Sequence, residues 1–120
     1  LHKRAVPTEM RDDRWMRGEV LDPRAHALCG IAGHAGLFST ANDLIRYAQM
    51  MLQRGSIDGM TILERSTFDE MTRGYHVPRG IRGLGWDKQT GYSSNRAKEM
   101  SSAEFGHGGF PGTEIWIDPE

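Results

Sequence analysis

Three groups of residues in this sequence have types and spacings that can do chemistry. The first is His107-Gly108-Gly109, inside the stretch FGHGGFPGTEIWIDPE at 105–120. A histidine titrates near neutrality and can donate or accept a hydrogen bond. Glycines beside a strand mark either a bulge or a backbone that something approaches closely. From the residues alone both readings stay open, and the structural one is the simpler. The second group is His26, Cys29 and His34, all of them zinc-ligand types. A structural zinc site takes four ligands in paired short spacings, and no fourth stands nearby. These three therefore read as ordinary loop residues, and neither a metal nor another cofactor is expected. The third group is the serines. Ser39 and Ser66 fall where helices begin and read as caps, and the chain contains neither G-x-S-x-G nor S-x-x-K. Tyr92 to Asn95 runs Tyr-Ser-Ser-Asn, one residue too long for a Tyr-x-Asn triplet, and reads as a polar loop.

The elements that must position these residues fall into three stretches. Residues 1–36 are dense in charge, and Pro7, Pro23 and four glycines break any long helix. They are expected to form a loop-rich arm, with a short helix over Asp22–Leu28, that needs other structure to lie on. Residues 37–74 carry the helical signal. Thr40 and Asp43 have the spacing of a capping box, with Asp in place of Glu or Gln. Leu44, Ile45, Ala48, Met51 and Leu52 recur at helical intervals, and Gly55 stands where that helix should end. A turn at Asp58-Gly59 leads to a second helix with Ser66 as N-cap and Gly74 as its stop. Met50, Met51 and Met60 are expected to fill the core.

Residues 83–120 carry strand signals. GLGWDKQ is a plausible first strand, YSSNRAKEMSS a polar turn, and TEIWID alternates Ile115 and Ile117 with Glu114, Trp116 and Asp118. A strand at the end of the sequence leaves an unpaired edge, which leads to the expectation that more sheet follows in a longer protein.

Composition narrows the function classes. In 120 residues with a formal net charge of -1 and balanced charges, nothing points to nucleic acid or an anionic membrane, both of which call for clustered positive charge. No apolar run approaches the ~20 residues that span a bilayer, and no export-type leader opens the sequence at Leu1. With Cys29 the lone cysteine, no internal disulfide is possible and the redox compartment stays open.

Taken together, GHAGLFSTANDLIRYAQMML, GLGWD and FGHGGFPGTEIWIDPE, in that order, resemble the serine β-lactamase and penicillin-binding-protein superfamily, closest to its class C-like branch. The resemblance runs from about Pro7 to Glu120. It implies an α/β fold of the α+β type, an antiparallel sheet flanked by helices. This chain would hold two helices and two or three strands of it, as a domain truncated at both ends. It also implies a serine hydrolase working through an acyl-enzyme on a β-lactam, a D-amino peptide or an ester. The family's Ser-x-x-Lys and Tyr-x-Asn motifs would lie upstream, so the chain alone is expected to be inactive. Without the missing N-terminal part of its domain it is also expected to be marginally stable or oligomeric.

By the same resemblance His107-Gly108-Gly109 occupies the family's Lys-Thr-Gly or His-x-Gly position on a strand lining the cleft. Gly109 would let substrate lie close. The Phe110 backbone N–H would supply one oxyanion-hole donor, a group whose removal costs roughly 3–4 kcal/mol where tested. His107 would offer a hydrogen bond in place of a lysine. Gly108 lacks the usual Thr or Ser hydroxyl that helps bind a substrate carboxylate, which tilts expectation toward less anionic esters or amides. The loop HAGLFS at 34–39 would border the cleft, making His34 and Ala35 substrate contacts. The family implies a bacterial periplasmic, secreted or membrane-anchored protein. The alternative reading is a catalytically silent relative that binds cell-wall peptides or glycans.

Overall fold

The computed structural model describes residues 4–120, so the first three residues of the expected arm lie outside the described residues. The chain divides into two units, Leu1–Thr40 and Ala41–Glu120.

The first unit is more ordered than its proline and glycine content predicts. β1 (Pro7–Arg11) and β2 (Arg14–Arg17) form an antiparallel hairpin with Met10 opposite Trp15 and Arg11 opposite Arg14. Its two-residue turn is Asp12-Asp13, at φ 49° and 57°. Hairpin turns of this kind need two left-handed residues, usually Asn-Gly or Asp-Gly, so an Asp-Asp pair hides the signal. The short helix falls where expected, as α1 (Pro23–Ala27). Asp22 caps it by accepting from the Ala25 N–H at 2.8 Å, and Pro23 opens it with a φ already suited to a helix. Met16, Val20 and Ala25 are its buried apolar residues.

The second unit carries a helix pair and a five-stranded sheet. α2 (Ala41–Leu52) begins directly after Thr40. It ends in paired bonds, Gly55 N–H to Met50 O at 2.9 Å and Arg54 N–H to Met51 O at 3.0 Å. That is a Schellman ending, and the left-handed residue in it is Arg54, at φ 55°. Gly55 is required one position later, because a Cβ there would sit 2.3 Å from the Leu63 carbonyl oxygen. α1 ends in the same way, with Cys29 left-handed at φ 59° and Gly30 N–H bonded to Ala25 O. After α2 come the small hairpin β3 (Ser56–Ile57) and β4 (Met60–Thr61), turning at Asp58-Gly59, and then α3 (Arg65–Thr72).

Three details of the helical stretch differ from expectation. The N-cap of α3 is Glu64, with no side-chain capping bond, and Ser66 lies inside the helix. Met50 and Met51 are buried, but Met60 is exposed in the turn hairpin. Leu44, Ile45 and Leu52 also stay exposed, because α2 covers the core through Met50, Met51 and Ala48.

The sheet is a meander, β5 (Tyr75–Val77), β6 (Gly80–Arg82), β7 (Asp87–Thr90), β8 (Phe105–Gly108) and β9 (Glu114–Ile117), antiparallel throughout and in sequential order. The chain is therefore α+β with an antiparallel sheet, as expected, but it has more strands than the sequence pattern revealed. β5 and β6 precede Gly83, and GLGW at 83–86 is the connection into β7 rather than strand. The Gly83 N–H closes that connection onto the Trp86 carbonyl at 2.9 Å. Ile115 and Ile117 face the core as their alternation required. There Trp86 and Phe105 meet edge to face at 5.0 Å, and Phe68 of α3 meets Phe105 at 6.0 Å. Together with Met50 and Met51 these residues form the core on which β8 rests.

Candidate active site

The His107 segment is held by β9 on one side and left open on the other. β8 pairs with β9 through Phe105↔Ile117, Gly106↔Trp116, His107↔Ile115 and Gly108↔Glu114. Its ladder with β7 consists of the single pair Asp87↔Gly106. From His107 onward, the β7-facing edge of β8 therefore has no strand partner among the described residues. An open strand edge beside glycines offers backbone N–H and C=O groups to an extended ligand.

Just past β8 the chain makes a tight turn. The Gly109 N–H donates to the Thr113 carbonyl at 2.7 Å, and the Gly112 N–H returns to the Gly109 carbonyl at 2.9 Å. Between them the Phe110 N–H finds no acceptor among the described residues, and the Phe110 side chain is 95% exposed. A Cβ on Gly109 would meet Thr113 Oγ1 at 2.7 Å and the Thr113 carbonyl oxygen at 3.3 Å, so a side chain here would force the Thr113 hydroxyl to turn away. Gly108 is different. A Cβ there would meet only Glu114 Cγ, at 3.8 Å, so there is room for a side chain.

His107 is exposed, and its ring is fixed by two contacts. Nδ1 lies 2.7 Å from the Gly108 carbonyl oxygen and Nε2 lies 3.4 Å from Nη2 of Arg82 on β6. Nothing in the spacing of Arg82 separates it from the other arginines, so this contact was not legible in the sequence. Only the meander, by carrying β6 within reach of β8, brings the two together.

Beneath this edge the sheet carries a buried polar layer. Asp87 and Glu104 are each 2% exposed. Asp87 accepts from Thr90 Oγ1 and Ser93 Oγ, both at 2.9 Å, and Glu104 pairs with Arg96 at 2.8 Å. Lys88 Nζ donates to the Ala103 and Glu104 carbonyls, and burial lowers its pKa despite the Glu104 charge nearby. The YSSNRAKEMSS loop is thus polar as expected, but its Ser93 and Arg96 each engage one oxygen of a buried carboxylate, while Asp87 Oδ1 and Glu104 Oε2 find no hydrogen-bond partner among the described residues. These bonds fix the start of β7 and the entry into β8.

His34 and Ala35 belong to the first unit, and His107–Phe110 to the second. His34 Nε2 contacts Asp22 Oδ1 at 2.9 Å. The Ala25 N–H and then His34 hold the Asp22 carboxyl below its usual pKa. His26 and Cys29 line an open cavity of about 400 Å³ with Val20, Gly36 and Phe38. Among the described residues no three His, Cys, Asp or Glu side chains gather as a metal-holding group.

The second unit is thus α+β, with a glycine-flanked histidine on an open strand edge and, beyond it, an amide unengaged among the described residues. The Beta-lactamase family model matches residues 2–120, and the chain belongs to that family. It is 34% identical over 107 residues to an N-acetylmuramyl-L-alanine amidase of Bacillus subtilis (strain 168), covering 87% of this chain and 24% of the relative. It is also 34% identical over 106 residues to a putative D-alanyl-D-alanine carboxypeptidase of Salmonella enteritidis PT4 (strain P125109), covering 85% and 24%. The corresponding Salmonella gallinarum (strain 287/91 / NCTC 13346) protein is 35% identical over 107 residues, with the same coverage. The chain thus spans about a quarter of the length of these relatives. Among the described residues no helix is long and apolar enough to cross a membrane.

Proposed function

We propose that this chain is the sheet-side part of a serine hydrolase that works through an acyl-enzyme on a β-lactam, a D-amino peptide or an ester. The observation that carries this is the Phe110 N–H, unengaged among the described residues at the end of an open strand edge. A donor held in place before reaction can stabilise the oxyanion of a tetrahedral intermediate without reorganising. The nucleophilic serine and its lysine come from a Ser-x-x-Lys elsewhere in the complete protein, since this sequence contains none. In this reading His107 stands at the lysine position of the family's third motif, and Gly108 and Gly109 border the substrate. The 120 residues alone are inactive. Bacterial relatives named for muramyl-L-alanine and D-alanyl-D-alanine chemistry support an envelope or extracellular location for the complete protein.

The test is intact-mass spectrometry of the complete protein after exposure to a fluorophosphonate and, separately, to a penicillin, with the 120-residue chain as control. One adduct, mapped to a serine of a Ser-x-x-Lys outside this chain and absent from the control, is expected. Labelling by penicillin as well would favour D-amino peptide or β-lactam substrates over simple esters. A folded complete protein that takes no adduct would sink the hydrolase reading and leave a silent relative that binds cell-wall peptides or glycans.

A further inference from the structure

β7 meets β8 at its start, at Asp87, while its other end, Thr90, lies opposite Gly80 of β6. Two turns therefore stand side by side there: Pro78-Arg79, which joins β5 to β6, and Thr90–Ser93, which follows β7. They are kept close because no side chain fits between β6 and β7 at this point. A Cβ on Gly80, at φ 137°, would sit 1.9 Å from the Gln89 carbonyl oxygen. Between the turns is an open cavity of about 540 Å³, lined by Val77, Pro78, Arg79, Arg82, Thr90 and Tyr92. No residue of the His107–Phe110 segment lines it.

Both turns are held rigidly. Pro78 fixes its own φ at the first position of the Val77–Gly80 turn. In the second turn the Thr90 N–H donates to Ser93 Oγ at 3.0 Å, and the Tyr92 N–H to Thr90 Oγ1 at 3.1 Å. The Thr90 and Ser93 hydroxyls both donate to the buried Asp87 carboxylate. Yet the side chains these turns present are unspent. The Tyr92 ring is 78% exposed. The Arg79 guanidinium is exposed and has no hydrogen-bond or ion-pair partner among the described residues, and Arg82 contacts only the His107 ring. Neither turn carries an Asp or Glu. Side chains already fixed by their backbone lose little freedom when a ligand arrives.

We propose that this cavity is a second binding site, which takes a phosphate monoester carried on a ring. A carboxylate is satisfied by one guanidinium fork, whereas a phosphate dianion has the charge and the oxygens to engage two. Arg79 and Arg82 supply those two forks, and the Tyr92 and Pro78 rings supply flat apolar faces for the ring of the ligand. The site is independent of the hydrolase reading, and its occupant is neither the substrate nor a part of it.

The test is titration calorimetry of the complete protein with phenyl phosphate, inorganic phosphate and benzoate, before and after treatment with a fluorophosphonate. Phenyl phosphate is expected to bind most tightly, inorganic phosphate less so and benzoate least. Arg79→Ala and Arg82→Ala should each weaken both phosphates by about 10- to 100-fold, the scale of a hydrogen bond between charged groups. Tyr92→Ala should weaken phenyl phosphate by about 2- to 10-fold and leave inorganic phosphate unchanged, because it removes a ring contact alone. Arg65→Ala, which removes an exposed arginine outside the cavity, should change nothing. Absence of saturable binding, an equal effect of Arg65→Ala and Arg79→Ala, or benzoate binding as tight as phenyl phosphate would each overturn the proposal. So would binding that disappears once the fluorophosphonate adduct has formed, since the probe would then occupy the cleft. If no adduct forms, the hydrolase reading fails while the variant series still decides this one.

Discussion

Gly106 stands one residue before His107, and adding a single carbon there should test how the site is held. In the ladder it lies opposite Trp116, whose ring covers it. An alanine Cβ at this position would sit 2.3 Å from Trp116 Cε3, 2.5 Å from Trp116 Cδ2 and 2.5 Å from the Ile115 carbonyl oxygen. Carbon atoms rest at about 3.5–4.0 Å, so the ring must move by about 1 Å or more, or the two strands must part. Overpacking costs about 1–3 kcal/mol. A weakened ladder bond at Ile115 adds about 1 kcal/mol, because the second neighbour is backbone. Against this stands the smaller entropy of an unfolded alanine, about 0.4–1 kcal/mol in the opposite sense. The net expectation for Gly106→Ala is a loss of about 2 kcal/mol. Gly108→Ala supplies the control on the same strand. Its Cβ would meet only Glu114 Cγ at 3.8 Å, so it should be neutral or slightly stabilising. Urea denaturation of the two variants beside the wild type measures the difference. If Gly106→Ala falls within about 0.5 kcal/mol of Gly108→Ala, β8 is not seated against Trp116 as described, and the positioning of His107 must be explained differently.

Three further outcomes follow from the same contacts. Arg96→Ala should cost about 3 kcal/mol in chemical denaturation, since it strands the Glu104 carboxylate at 2% exposure without its cation; a neutral result would mean that Glu104 is solvated or protonated. Asp118 has its pKa lowered, first by the Ser101 hydroxyl at 2.6 Å and then by the Ser101 N–H at 2.8 Å. Its folded pKa is thus below the unfolded value near 4, and its contribution is present above that value and lost as pH falls through the folded pKa. Ser101→Ala should therefore reduce stability at neutral pH and flatten the acid limb of the stability curve, and an unchanged acid limb in a pH series of melts would count against the bonds. Gly108→Ser should leave stability within about 0.5 kcal/mol of the wild type, because the side chain fits without strain. By returning a hydroxyl beside the open edge, it should also raise the complete protein's turnover of carboxylate-terminated substrates. Unchanged or lower turnover in a steady-state assay would mean that the hydroxyl does not reach the ligand.

What could be read from the sequence divides along a physical line. Features set by local chemistry were legible. The apolar alternation of Ile115 and Ile117, the turn at Asp58-Gly59 and the start of α2 after Thr40 all depend on residues within a few positions of each other. Features that depend on distant partners were not. The β1–β2 hairpin turns on Asp12-Asp13, a pair that accepts left-handed backbone but rarely announces it. β5 and β6 are three residues each, too short for a period of two to stand out, and their pairing carries their identity. Ser66 looked like a cap by type, yet the backbone turned into helix one residue before it.

The candidate site shows the same division. His107, Gly108 and Gly109 stood out as a candidate because they are contiguous, and the role proposed for Phe110 rests on the resemblance. Arg82 is 25 residues earlier and reaches His107 only because the meander folds β6 back toward β8. A motif search reads one strand at a time, whereas a binding site on an antiparallel sheet is assembled across strands.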